Sequence, residues 1–80
     1  MRIKNAVVAR FQALCGEQKI KYNELATRAG VTPSTVYSLM DESRKDISIV
    51  TIKKLCDGLE ISISEFFDDP LFKSLEQEIR

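Results

Sequence analysis

From Ile3 onward the apolar residues Ile3, Val7, Phe11 and Leu14 recur at spacings of four, four and three, one stripe of a helix that ends near Cys15 to Gln18. Gly16 loosens that end. A lone apolar Ile20 follows between two lysines, and then "YNELATRA" sets Leu25, Ala26 and Ala29 on one side of a second helix. Gly30 stops it, because glycine takes the left-handed cap conformation without steric cost. Thr32 and Pro33 open a third helix: the threonine oxygen accepts an orphan N–H, and proline in the first turn loses no hydrogen bond. That helix runs to about Met40, and "DESRKD" is a polar connector. Ser48 reads as the next cap, with Ile49, Ile52, Leu55, Cys56 and Leu59 forming a fourth helix broken near Gly58. Ser62 and Glu65 have capping-box spacing, which predicts a short fifth helix ending at Phe66–Phe67. Asp69–Pro70 repeats the cap-plus-proline device and opens a last helix with Leu71, Phe72, Leu75 and Ile79 apolar. "DISIV" and "EISIS" alternate briefly, but each leads into a capped helix. The expected fold is all-α, with five short helices and one more at the C-terminus.

Eighty residues make one domain with a small core, no scaffold for a deep active site. Hydrophobic residues at 44% and charged residues at 30% are a globular balance, which argues against disorder. No apolar run is as long as a membrane span, and "MRIKNAVVARF" lacks the oily segment of a secretory signal, so a cytoplasmic location is expected. The two cysteines, Cys15 and Cys56, form no CxxC pair, and there is no histidine; neither a metal nor a cofactor is expected. Both read as small buried hydrophobes kept reduced, a redox role for Cys15 being the lesser alternative.

Twelve basic and twelve acidic side chains cancel overall. Their distribution does not cancel. Residues 1–56 hold ten basic and five acidic groups, a balance of +5, and residues 57–80 hold two and seven, a balance of −5. Only the first part of the chain would attract a phosphate backbone.

On the third helix Val36, Leu39 and Met40 share one face, and Ser34, Tyr37, Ser38 and Asp41 point the other way. That outer face is short, neutral and hydrogen-bonding. It suits a groove, where small hydroxyls reach base edges and long charged side chains would obstruct approach. Two helices joined at a glycine turn make a helix-turn-helix, whose second helix enters the DNA major groove.

"KIKYNELATRAGVTPSTVYSLM" followed by "SIVTIKKLCDGLEISISEFF" resembles the small helix-turn-helix regulators of the Cro and phage-repressor class, over roughly residues 5 to 68. Leu25, Ala26, Gly30, Val36, Leu39, Ile49, Ile52, Leu55 and Leu59 fall where that family places its core. The resemblance implies a five-helix DNA-binding domain over residues 1–68, with 69–80 a C-terminal helical extension. It implies base-facing roles for Pro33, Ser34, Tyr37 and Ser38, and phosphate-facing roles for Lys21, Tyr22, Asn23, Thr32, Arg44 and Lys45. Two departures stand out. Lys21 occupies the cap position before helix two, where the family usually has Thr or Ser. Cys15 and Met40 occupy positions where many members carry a buried Arg–Glu pair. Loss of both partners together strands no charge, so contact between the two apolar side chains is expected there.

One helix reads too few base pairs for specificity, so a homodimer on a two-fold axis is expected, its reading helices about 34 Å apart. Leu71, Phe72, Leu75 and Ile79 are the candidate dimer surface, with packing back onto helix one as the alternative. The expected function is a sequence-specific double-stranded-DNA-binding regulator, a repressor because so short a chain has little room for an activation surface. The rival is a protein-interaction module such as an antitoxin-like partner. No catalytic constellation can be assembled, so an enzyme is not expected.

Overall fold

A computed structural model describes residues 1–79 of the chain. Five helices run in order: α1 (Ile3–Gln18), α2 (Tyr22–Ala29), α3 (Pro33–Met40), α4 (Ile49–Gly58) and α5 (Ile63–Phe67). A 3-10 turn at Pro70–Phe72 follows, and no strand occurs among the described residues. The caps expected at the helix starts are in place. Thr32 and Ser48 oxygens accept from Thr35 N at 3.3 Å and Thr51 N at 3.4 Å. Ser62 and Glu65 form the reciprocal capping box, and Asp69 accepts from Leu71 N.

The helix ends are built alike in three places. After α1, α2 and α4 a left-handed residue, Lys19, Gly30 or Glu60, lets two successive N–H groups turn back to orphan carbonyls. Ile20 N reaches Cys15 O, Val31 N reaches Ala26 O and Ile61 N reaches Cys56 O, each at 3.0 Å. Only Gly30, at φ 71°, is the residue type that geometry favours; Lys19 and Glu60 adopt φ 57° and 60° with a side chain in place. Gly16 therefore does not end α1, which runs on to Gln18. Gly58, the last residue of α4, serves close approach: a Cβ there would lie 3.0 Å from Ala29 N and 3.2 Å from its Cα.

All five helices feed one core, in which Phe11, Leu25, Val36, Leu55, Cys56, Leu59 and Phe66 are fully buried. Phe66 meets Phe11 at 4.4 Å between ring centroids and Phe67 at 4.9 Å. Cys15 is in this core and Met40 packs half-buried against it. Burial pushes the Cys56 thiol up to about 11, with Asp57 adding to the effect, and raises Cys15 as well, so both stay protonated near neutral pH. Arg10 closes the C-terminal end of α5, donating to Phe66 O at 2.8 Å and Glu65 O at 3.0 Å and pairing with Asp69.

Three expectations need correction. Ile3 is 42% exposed, and Lys4 is buried instead. At about 100° per residue, Lys4 falls within about 20° of the direction of Phe11, whereas Ile3 is about 80° away. Ile49, expected in the core, is 62% exposed beside the exposed Val50; Ile47 in the preceding loop turns inward and packs on the core. The C-terminal helix expected to carry Leu71, Phe72, Leu75 and Ile79 is a single 3-10 turn. Beyond it the chain bonds to the N-terminal segment rather than to itself: Glu76 N donates to Met1 O at 3.0 Å, and Arg2 donates to Gln77 O at 2.8 Å. So short a segment gains too little from its own turns to persist as a helix without a packed stripe.

The two glycines should answer oppositely to alanine. Gly16 has open space around it, so Gly16→Ala is expected to stabilise the domain by about 0.5–1 kcal/mol through helix propensity. Gly58→Ala must push the α2 backbone away and is expected to destabilise by about 1–3 kcal/mol. Urea unfolding of the two variants measures both signs.

Candidate nucleic-acid interface

The third helix divides cleanly between its two faces. Val36 is fully buried and Leu39 nearly so, while Pro33 and Ser34 are exposed and Tyr37 is 54% exposed. The flank that begins at Pro33 is therefore free of the protein's interior. At its N-terminal end the hydroxyls form a cluster, Thr32 Oγ1 lying 3.0 Å from both Ser34 Oγ and Thr35 Oγ1. Thr32 thus combines its capping duty with an exposed position at the start of the face. Ser38 is half-buried and lines, with Ser34, Thr35, Arg44, Ser48 and Thr51, a cleft of about 260 Å³ between α3 and the start of α4.

The start of α2 joins this face through an aromatic pair. Tyr22 and Tyr37 meet edge-on, ring centroids 5.5 Å apart and planes at 77°, the arrangement that sets the positive ring edge against the negative ring face. Tyr22, half-buried, supports one side of the exposed ring. Lys21 is exposed and makes no capping bond at the α2 start, and Asn23 is exposed in the first turn.

Arg44 and Lys45 are adjacent in sequence but separate in space. Arg44 lines the hydroxyl cleft beside Ser34 and Ser38. Lys45 lies on the other side of the loop, in a crevice with Arg2, Lys4, Asn5, Glu42 and Glu78. Asp41, which sequence alone sets on the outer face, turns its carboxylate into its own loop: Ser43 N donates to it at 2.9 Å and Ser43 Oγ at 2.8 Å. Those bonds, and then the nearby Arg44 charge, hold the Asp41 carboxyl below the usual range. Its negative charge is thereby partly balanced at the edge of the face.

Of the stripe expected to pair two copies, Phe72 is turned into its own protomer, 4.9 Å from Phe67 and 5.8 Å from Phe66. Leu71 and Leu75 are half-buried, and Ile79 is 84% exposed. A second surface rich in apolar groups, not foreseen from the sequence, is a groove where Ile3, Val7, Ile47, Ile49, Ile52 and Phe67 are bordered by Lys4, Lys45, Asp46 and Glu78. Lys4 also escaped notice, since a lysine in an apolar stripe gives no signal of its partners. Among the described residues no group of three or more histidine, cysteine or acidic side chains is placed to hold a metal, and no helix is long and apolar enough to cross a membrane.

A family model for the Cro/C1-type HTH DNA-binding domain matches residues 10–70. The crystal structure of the prophage Lp1 protein 11 superposes with a TM-score of 0.81 at 33% sequence identity, covering 94% of this chain and 100% of that one. A mutant of the restriction-modification controller protein C.Esp1396I superposes with a TM-score of 0.75 at 20% identity, covering 85% of this chain and 87% of that one, a likeness of fold. No curated protein matches.

The tyrosine pair is open to a direct measurement. In a double-mutant cycle of Tyr22→Ala and Tyr37→Ala, urea unfolding is expected to give a coupling of about 0.5–1.5 kcal/mol, and additive losses would show that the rings do not hold one another.

Proposed function

Because this chain belongs to the Cro/C1-type HTH DNA-binding family of transcription regulators, we propose that it is a sequence-specific repressor that lays α3 in the major groove of double-stranded DNA. The observation that carries the reading is the division of α3, whose buried Val36 and Leu39 leave a free flank of small hydroxyls and one tyrosine. On that flank Pro33, Ser34, Tyr37 and Ser38 meet base edges. Lys21, Tyr22, Asn23 and Thr32 meet phosphates at the starts of α2 and α3, and Arg44 and Lys45 meet them from the following loop. The charge division of the chain supports this orientation, since the +5 portion contains α1 to α3 and most of α4. Repression requires only occupancy of the duplex.

Binding to duplex DNA is expected to weaken steeply with added salt, by about tenfold or more between about 50 and 200 mM, as released counterions demand. Ser34→Ala and Tyr37→Ala should change the sequences recovered from a random duplex pool, each contact being worth about 1–3 kcal/mol of discrimination. Arg44→Ala should lower affinity for all sequences alike and reduce the salt slope by about one. A duplex left unbound at low salt would overturn the reading in favour of a protein-binding module.

Pairing on a two-fold axis completes the proposal, with Leu71, Leu75 and Ile79 supplying the contact and Phe72 supporting it from inside the protomer. Sedimentation equilibrium should give a dimer for the wild type and a monomer for Leu75→Asp with Ile79→Asp. A dimer that survives those changes but falls apart in Ile49→Asp would move the interface to the apolar surface around Ile49, and a monomeric wild type would refute pairing.

A further inference from the structure

Among the described residues Lys4 is the one charged side chain that is buried, at 7% exposure. It sits in the first turn of α1, yet its ammonium is bonded to a different part of the fold. Lys4 Nζ donates to Asp41 O at 2.9 Å and also to Arg44 O. Asp41 is the residue that ends α3, and Arg44 is the loop residue beside the hydroxyl cleft. Asp41 O also accepts from Arg44 N at 3.1 Å, so one carbonyl closes the turn and receives the lysine.

This contact closes the end of α3 from a distance, as Arg10 closes that of α5. The ends of α1, α2 and α4 are closed by a left-handed residue, but α3 runs into Asp41 at φ −71° and ψ 114°, without that turn. It also has no basic residue in its last turn. Apart from the bond of Asp41 N to Ser38 O at 3.2 Å, its C-terminal end thus lacks both the left-handed closure and the positive charge that the negative end of a helix favours. Lys4 supplies the charge from another helix. The hydrogen bonds between α1 and residues 33–48, among those described, are the two made by Lys4.

We propose that Lys4 is a positioning residue for DNA binding: by gripping Asp41 O and Arg44 O it fixes the end of α3 against α1 and aims the Arg44 guanidinium at the phosphate backbone. The proposal rests on the DNA-binding reading given above and adds a residue that never touches DNA. Lys4 has two neighbours of its own sign and two of opposite sign in its crevice, Arg2 and Lys45 against Glu42 and Glu78. Those side chains do not substitute for it, because none of them is bonded to the two carbonyls.

The test uses fluorescence anisotropy with a labelled mixed-sequence duplex of about 20 base pairs, long enough for two turns of DNA. Wild type, Lys4→Met, Lys4→Arg, Arg44→Ala and the double variant Lys4→Met with Arg44→Ala are titrated at several salt concentrations, and urea unfolding checks that each is folded. Lys4→Met is expected to bind about tenfold more weakly and to lose about one from the salt slope, as removal of a single phosphate contact does. Lys4→Arg should recover most of both, since guanidinium can donate to the same carbonyls. The double variant should bind no more weakly than Arg44→Ala alone. Arg10→Met, which removes the cationic cap of α5 instead, should lower the unfolding midpoint and leave affinity and slope unchanged. Wild-type affinity and slope in a folded Lys4→Met would overturn the proposal, as would losses that add to those of Arg44→Ala. Should Lys4→Met not fold, Lys4→Gln takes its place in the same cycle under the same criteria. Failure of the wild type to bind duplex would overturn the DNA-binding reading itself, an outcome distinct from wild-type binding that Lys4 does not influence.

Discussion

Eight residues are too few for a helix to persist in water by itself, so α3 exists only because the rest of the domain holds it. Three separate contacts do so. Val36 and Leu39 seat its inner face in a core shared with α1, α2 and α4. Thr32 satisfies an orphan amide at its start, and Lys4 reaches the carbonyl at its end. The free flank of α3 is a by-product of this arrangement: the core contacts lie on the inner face and at the two ends, and the outer face adds the edge-on contact of Tyr37 with Tyr22. Its serines and tyrosine are available for a ligand without cost to the core.

The same logic extends to the elements around it. The α2 helix approaches α4 closely because Gly58 has no side chain to place against the Ala29 backbone, and that closeness fixes the base on which α3 sits. Tyr22, carried by α2, leans on Tyr37 of α3 and links the two halves of the helix-turn-helix on the outside as the core links them on the inside. The prophage Lp1 protein 11 shares this architecture along its whole length.

Several features of the candidate site are legible in the sequence. Val36 inward and Tyr37 outward follow from the helical period, and the starts of α3, α4 and α5 follow from Thr32, Ser48 and Ser62. Other features were hidden. Lys19 and Glu60 end α1 and α4 in a conformation usually given to glycine, so the chain shows no stop signal at either residue. Arg44 and Lys45, neighbours in the chain, line different clefts because the turn at Asp41–Arg44 separates them. The C-terminal stripe had the right period for a helix but found hydrogen-bond partners at the N-terminus instead.

The sequence by itself determined what depends on a few adjacent residues: helix starts set by side chains that cap the next turn, the inner and outer faces of α3, and the separation of charge between the two parts of the chain. The tertiary structure decided what depends on the element opposite. It settled that Lys4 is buried and Ile3 exposed, that Gly58 marks a close approach, and that Phe72 folds inward while Ile79 does not. The physical reason is one of range. A capping hydrogen bond is completed within four residues, whereas burial and an ammonium's partner are fixed by whichever chain segment is packed across from it, here about forty positions away.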